Sequence, residues 1–411
     1  MAVTRRTFMK SAAAGLVGAS TGLLSWGAAA QGDSIKVGVL VDLSGPLQAF
    51  GTGKARCIQL AAEEINAQGG LLGRRIEIVQ YDTQSQNQLY GQFAQQLALR
   101  DRVAVVHGAI TSAAREVARP VLDRAKTLYF YNMIYEGGLC DRNTFVTGPT
   151  PQQLLVKLIP HIIKRFGPKI YVLAADYNFG HYSTDWVRKI AAESGGRVIA
   201  ADFFPLDVNT FGPTIAKIQQ ADPDVVFNIF VGPAHGSFYG QWAAAGMNKK
   251  IPMASHTLGD SGEHKRMPPE VSEGLVTVKN YFDELDTPAN EAFLARFTRR
   301  FGKDYGYLGS LSIADYQAMH LWAEAVKKAG SVEREAVIKA LESGIAVDGP
   351  SGRVAIDPPT HHAVLNMYLA EVRNGAFQVQ ERWDAVPPMP NDNRCDLLRN
   401  PNTNKQFAPQ V

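Results

Sequence analysis

Residues 129–140 read YFYNMIYEGGLC and bring Tyr129, Phe130, Tyr131 and Tyr135 within seven positions, followed at once by Glu136 and a Gly pair. Rings, phenol hydroxyls and a carboxylate at this density can wall a pocket and hydrogen-bond a small polar molecule. The same run can equally be a core strand entering a turn, because aromatic-rich stretches ended by Gly usually pack a core. A second group, AITSAAR, puts Thr111 and Ser112 where an apolar strand gives way to a helix. A hydroxyl there either caps the helix or, with the free N–H groups, holds a polar ligand, and the two roles are compatible. A third group, AADYNFGHY, flanks Asn178 with Tyr177 and Phe179. A core does not require exposed rings beside Gly180, and such rings could close over a ligand.

Other apparent motifs fail on chemistry. GTGKAR (51–56) resembles a dinucleotide fingerprint, but Arg56 stands where a third Gly would allow close helix–strand packing. It reads as a flexible loop offering backbone donors at a helix start. GASTG (18–22) has the spacing of a nucleophile elbow but lies in the N-terminal export segment. GDSGE (259–263) looks like a serine-protease loop without the matching His and Asp contexts. Ser261 therefore reads as a loop residue, and Asp260 stays a candidate for a cleft. His361 and His362 point to opposite faces of a strand, so one metal rarely takes both. Cys57, Cys140 and Cys395 show no C-x-x-C or Cys/His spacing. Neither a metal, nor a cofactor, nor an enzymatic activity is expected.

The elements that must hold these loops alternate regularly. IKVGVLV, RRIEIVQYD, VAVVHG and TLYFYN are strands, separated by the amphipathic helices KARCIQLAAEEINAQGG, NQLYGQFAQQLALRD and SAAREVARPVLDRA. The pattern restarts at KIYVLAAD and runs through VVFNIFV to IPMASH. This predicts parallel βαβ units in two doubly wound α/β lobes. A helical block follows over Pro288–Ser343. Then comes a hairpin at Asn374-Gly375, and from Ala385 a tail rich in Pro, Asn and Asp. In such sheets ligands bind at the carboxyl ends of strands, which marks SGPLQAFGTG, GAITSA, YNMIYEGG and ADYNFGHY.

Of the 42 basic residues, Arg5, Arg6 and Lys10 fall in residues 1–30, so the remainder balances 39 cations with 39 anions. A neutral chain gives no reason to expect a nucleic-acid or anionic-membrane partner. The N-terminus has a basic head, a Gly-containing weakly apolar middle, and Ala28 and Ala30 at A-x-A spacing. That predicts a signal peptide over 1–30, cut before Gln31, rather than a membrane anchor. Paired Arg5 and Arg6 resemble the twin-arginine class. The chain is thus expected outside the cytoplasmic membrane, with no membrane insertion after cleavage. An oxidising compartment permits one disulfide, and Cys140 with Cys395 is the favoured pair, leaving Cys57 a buried thiol.

The segments IKVGVLVDLSGPL, EEINAQGGLLGRRIEIVQYD, GAITSAAREVARPVLDRA, ADPDVVFN and DTPANEAF, in that order, resemble the periplasmic branched-chain-amino-acid-type (type I) binding proteins of ABC importers. IYEGG and ADYNFG look most like the urea- and short-amide-binding branch. The resemblance covers about Ile35 to Trp383. It implies lobe 1 from 34–149 plus 281–348, lobe 2 from 150–280 plus 349–385, a hinge with a cleft between the lobes, and a tail from 386 to 411. It implies a periplasmic protein that captures a small polar solute, an amide, urea or amino acid, and hands it to an inner-membrane ABC permease. Carried over, Ser112, Tyr131, Met133 and Tyr135 would line one lobe, and Tyr177 and Phe179 the other. Glu136, Asp176 and Asp260 would be the carboxylates available to an ammonium group. Met133 and Tyr135 stand where amino-acid binders have small or hydroxyl residues that help hold the α-carboxylate. The alternatives are a ligand-sensing regulator of the same fold and an exported cofactor-dependent redox enzyme.

Overall fold

The computed structural model describes residues 34–388 and 394–408. The expected signal peptide, with Arg5 and Arg6, lies outside the described residues. The chain opens with β1 (Ile35–Val41), α1 (Gln48–Ala67), β2 (Ile76–Asp82), α2 (Asn87–Gln95), β3 (Val105–Gly108), α3 (Ser112–Arg124), β4 (Leu128–Tyr131), β5 (Leu139–Asp141) and β6 (Thr144–Val146). It continues with α4 (Pro151–Phe166), β7 (Lys169–Ala175), α5 (Asn178–Glu193), β8 (Arg197–Phe204), α6 (Gly212–Ala221), β9 (Val225–Ile229), α7 (Ala234–Ala244) and β10 (Met253–Ser255). Two short helices, α8 (Glu263–Arg266) and α9 (Pro269–Ser272), lead to β11 (Val276–Lys279). The helices α10 (Pro288–Phe301), α11 (Ser310–Ala329) and α12 (Arg334–Leu341) follow. Then come β12 (Ala346–Gly349), β13 (Gly352–Asp357), β14 (His362–Arg373), β15 (Ala376–Val386) and β16 (Asn404–Gln406).

The strand order repeats. β2-β1-β3-β4-β6 on one side and β8-β7-β9-β10-β11 on the other have the same doubly wound order, and β14 lies between them. β14 runs parallel to β6 and antiparallel to β11. The parallel strands β1, β3, β4 and β9 are buried along nearly their whole length. Helices cover both faces of such a sheet, so these strands read as continuous apolar runs rather than alternating ones. The β14–β15 turn places Asn374 and Gly375 at φ 53° and 74°, the left-handed pair that a two-residue hairpin needs.

Three expectations change. GTGKAR is not a loop: α1 starts at Gln48 and contains it. The reason is packing, because a Cβ on Gly51 would lie 1.9 Å from the Asp42 carbonyl, so only Gly lets the helix start against the end of β1. The helix after β2 ends in a π-helical turn over Gln96–Asp101. The described part of the tail carries regular structure, β16 pairing antiparallel with β5, while Cys140 and Cys395, the pair favoured from the sequence, are joined by a disulfide. Cys57 is free and buried. His361 and His362 are both buried, against Phe145 and Tyr135 respectively.

Candidate functional site

The carboxyl ends of strands from both sides of the sheet meet at a narrow crevice, closed down to about 20 Å³, room for about one water. Its walls come from α1 (Phe50), the turn after β3 (Ile110, Ser112) and the loop after β4 (Met133, Ile134). From the other side come Tyr177 and Phe179 after β7, Phe230 and Val231 after β9, and Thr257 and Asp260 after β10, with Leu311 of α11. Each wall except those from α1 and α11 follows a parallel strand, the position where a doubly wound sheet leaves loops free to hold a ligand.

Of the nine residues singled out from sequence, Ser112, Met133, Tyr177, Phe179 and Asp260 line this crevice. Thr111, not Ser112, caps α3, its hydroxyl accepting from the Ala114 amide at 3.0 Å. The Ser112 hydroxyl donates to Glu136. Glu136 does not line the crevice but lies behind Ser112, fully buried and 3.0 Å from the Arg115 guanidinium. It also accepts from Asn178 at 3.2 Å, and its carbonyl accepts from the Trp186 indole at 3.0 Å. One residue after β4 is thus bonded to α5 on the opposite side of the sheet.

Tyr131 and Tyr135 also lie outside the lining. Tyr131 turns inward, its hydroxyl donating to the Ile110 carbonyl at 3.3 Å. The Tyr135 hydroxyl bonds His362 and accepts from the Leu139 amide. Both rings flank Arg115, whose guanidinium carbon lies 5.0 and 4.8 Å from their centroids. Burial pushes both phenols up, so they stay neutral hydrogen-bonding groups. Asp176 is exposed, paired with His181 at 2.8 Å, and does not face the crevice.

Asp260 is buried and pairs with Lys279, and it accepts from Ser310 of α11 at 2.5 Å. Burial pushes its carboxyl up, against the opposing pull of Lys279. His256, between Phe179 and Phe227, is pushed down to about 3, chiefly by burial. Both carboxylates at or behind the crevice therefore have a cation of their own. The surface left for a solute is mainly rings and aliphatic groups, with the Ser112 and Thr257 hydroxyls as polar points. Among the described residues, no group of three or more His, Cys, Asp or Glu could hold a metal ion. Nor is any helix among them long and apolar enough to cross a membrane.

Sequence reasoning missed Phe230, Val231 and Thr257, although the rule that marked the loops after β3, β4 and β7 points equally to those after β9 and β10. It also missed Arg115. The signal was the i, i+4 pair Arg115 and Arg119 on the Ala-rich face of SAAREVAR, where a charge must find a buried partner.

The family model for periplasmic binding proteins matches residues 34–376. The chain belongs to the periplasmic binding protein family. Among its relatives, the Leu/Ile/Val-binding protein homolog 7 of Brucella abortus is 25% identical over 365 residues, spanning 83% of this chain and 88% of the relative. A Rhodopseudomonas palustris solute-binding protein of an ABC transporter, solved with 3,4-dihydroxybenzoic acid, has the same fold. Its TM-score is 0.77 and its identity 24%, and the match covers 86% of this chain and 98% of that one. The branched-chain amino acid transporter substrate-binding protein LivJ of Streptococcus pneumoniae, solved with isoleucine, matches at TM-score 0.76 and 20% identity, over 86% of this chain and all of that one. This periplasmic binding protein shares their two-lobe α/β architecture.

Proposed function

We propose that this chain is the solute-capturing component of an ABC importer, exported to the periplasm by the twin-arginine route and delivering its solute to an inner-membrane permease. We infer that the solute is small, with a flat or branched apolar body and one hydrogen-bonding head, a carboxylate or an amide. The observation that carries this reading is the crevice lining: Phe50, Tyr177, Phe179 and Phe230 with Met133, Ile110, Ile134 and Leu311, and few polar groups. Rings and aliphatic groups gain by covering an apolar body. Urea, with no apolar surface, is the least supported of the solutes read from the sequence. An α-amino acid needs a carboxylate for its ammonium, and Asp260 is already paired with Lys279. The benzoate named for the Rhodopseudomonas palustris protein and the isoleucine named for LivJ both have an apolar body and a carboxylate.

The lobes proposed are 34–149 with 281–348, and 150–280 with 349–385. A solute that touches both sides of the crevice favours the closed arrangement, because only there does it gain both sets of contacts. Capture and release of this kind require no bond chemistry. A thermal-shift screen of the mature chain against benzoates, benzamide, short aliphatic amides, urea and branched-chain amino acids tests the reading. A true solute at a hundredfold its dissociation constant stabilises by about 2.7 kcal/mol. Benzoates or benzamide should shift the protein and urea should not; a shift by α-amino acids alone would overturn the assignment of the head group.

A further inference from the structure

The family match ends at residue 376, yet the chain continues for 35 residues and returns to the site. We propose that the segment Arg394–Phe407 is a strap that positions the solute site, with Gln406 as its positioning residue. The strap pairs with the loop that leaves Tyr135 and Glu136: Asn404, Lys405 and Gln406 lie opposite Asp141, Cys140 and Leu139. The Phe407 amide donates to the Gly138 carbonyl at 2.8 Å, and Cys395 is bonded to Cys140. Gly138 is adapted to this approach: its φ is +86°, and a Cβ there would lie 2.0 Å from the Phe407 carbonyl. Leu397 and Phe407 pack with the disulfide in a small apolar cluster separate from the main core.

The polar contacts aim at the site. The Arg115 guanidinium donates from one nitrogen both to Glu136 and to the Gln406 side-chain carbonyl, each at 3.0 Å. The Gln406 amide donates in turn to the Gly137 carbonyl. Asn404 bonds Arg119 and, at 2.9 Å, Asp123, which fixes the strap along α3. Gln406 thus holds both ends of the Arg115–Glu136 pair: the guanidinium by its oxygen and the loop after the carboxylate by its nitrogen. Glu136 in turn meets Ser112 in the crevice wall and Asn178 and Trp186 on the far side. Losing the strap frees the loop that joins the two walls.

The test uses the mature chain with its disulfide formed, and hydrogen exchange without solute as the first readout. Gln406→Ala and Gly138→Ala should speed exchange of the 132–141 segment about tenfold, and Cys395→Ala should do the same to a smaller degree. Peptides of β9 and β10 should be unchanged. Exchange that stays at wild-type rates, or that rises uniformly along the chain, would overturn the proposal. This readout does not depend on the solute. A second readout, benzoate affinity, rests on the solute reading above. Gln406→Ala should weaken it about tenfold, the effect of one lost hydrogen bond to a charged group. Gln406→Glu, which keeps an acceptor for Arg115 but turns a second acceptor onto the Gly137 carbonyl, should stay near the Ala level, and full recovery would overturn the two-ended role of Gln406. Wild-type protein that ignores benzoate would reject the solute and leave the exchange result to decide the strap.

Discussion

The two walls of the crevice are built differently. On the β1–β4 side, Ser112 and Arg115 both donate to Glu136, and the tail braces Arg115 through Gln406. On the β7–β10 side the wall is rings: Tyr177 and Phe179 with centroids 5.9 Å apart, and Phe230 backed by Phe204, Phe211 and Phe238 at 5.3–5.7 Å. A hydrogen-bonded wall fixes geometry, since each group has one best place. A wall of rings supplies area and tolerates different solutes of similar shape. The difference suggests that one side sets orientation and the other supplies most of the binding energy.

The comparison breaks first at Glu136. Glu136→Ala takes from the buried Arg115 its fully buried carboxylate, leaving Glu116 at 2.9 Å as the remaining ion pair, and should cost about 2–3 kcal/mol of stability. Urea unfolding checks it, and a loss below ~1 kcal/mol would mean that the polar wall is not coupled as described. On the other side, Tyr177→Ala should weaken benzoate binding about tenfold, ~1.4 kcal/mol. The unfolding midpoint should move little, because the ring only partly packs on the core. Calorimetric titration separates the two effects.

A separate effect falls on pH dependence. His256 has no hydrogen-bond partner on Nδ1, and burial holds its imidazole near 3, with Lys279 and His235 pushing the same way. The folded state therefore keeps it neutral while the unfolded chain binds a proton near pH 6.5. Its contribution is present above that pH and lost as pH falls towards 3, by at most ~1.4 kcal/mol per pH unit. His256→Phe should flatten the acid loss of stability between pH 6.5 and 5; an unchanged slope would show that other groups, such as the buried His107, His235 and His362, carry it.

Much of the fold could be read from the sequence because its signals are local. The apolar strands, the Gly stops and the Asn374-Gly375 turn each announce their own element. The crevice was legible at Ser112, Met133, Tyr177 and Phe179 because those residues sit just past strand ends. Phe230 was hidden because VVFNIFV runs on as a strand past Ile229, where the chain in fact leaves the sheet. Tyr131 and Tyr135 look like pocket residues in one dimension, but Arg115 draws both rings inward, and that cation comes from a different helix. β16 has little strand pattern of its own and exists through its pairing with β5, a partner more than 250 residues away that only the folded chain brings close.

The most direct measurement is the anomalous diffraction of 4-iodobenzoate bound to the mature protein. The iodine should lie among Tyr177, Phe179 and Phe230, with the carboxylate towards the N-terminus of α3 and the Thr257 hydroxyl. Iodine found outside the crevice, or a carboxylate paired with Lys279 after displacing Asp260, would contradict it.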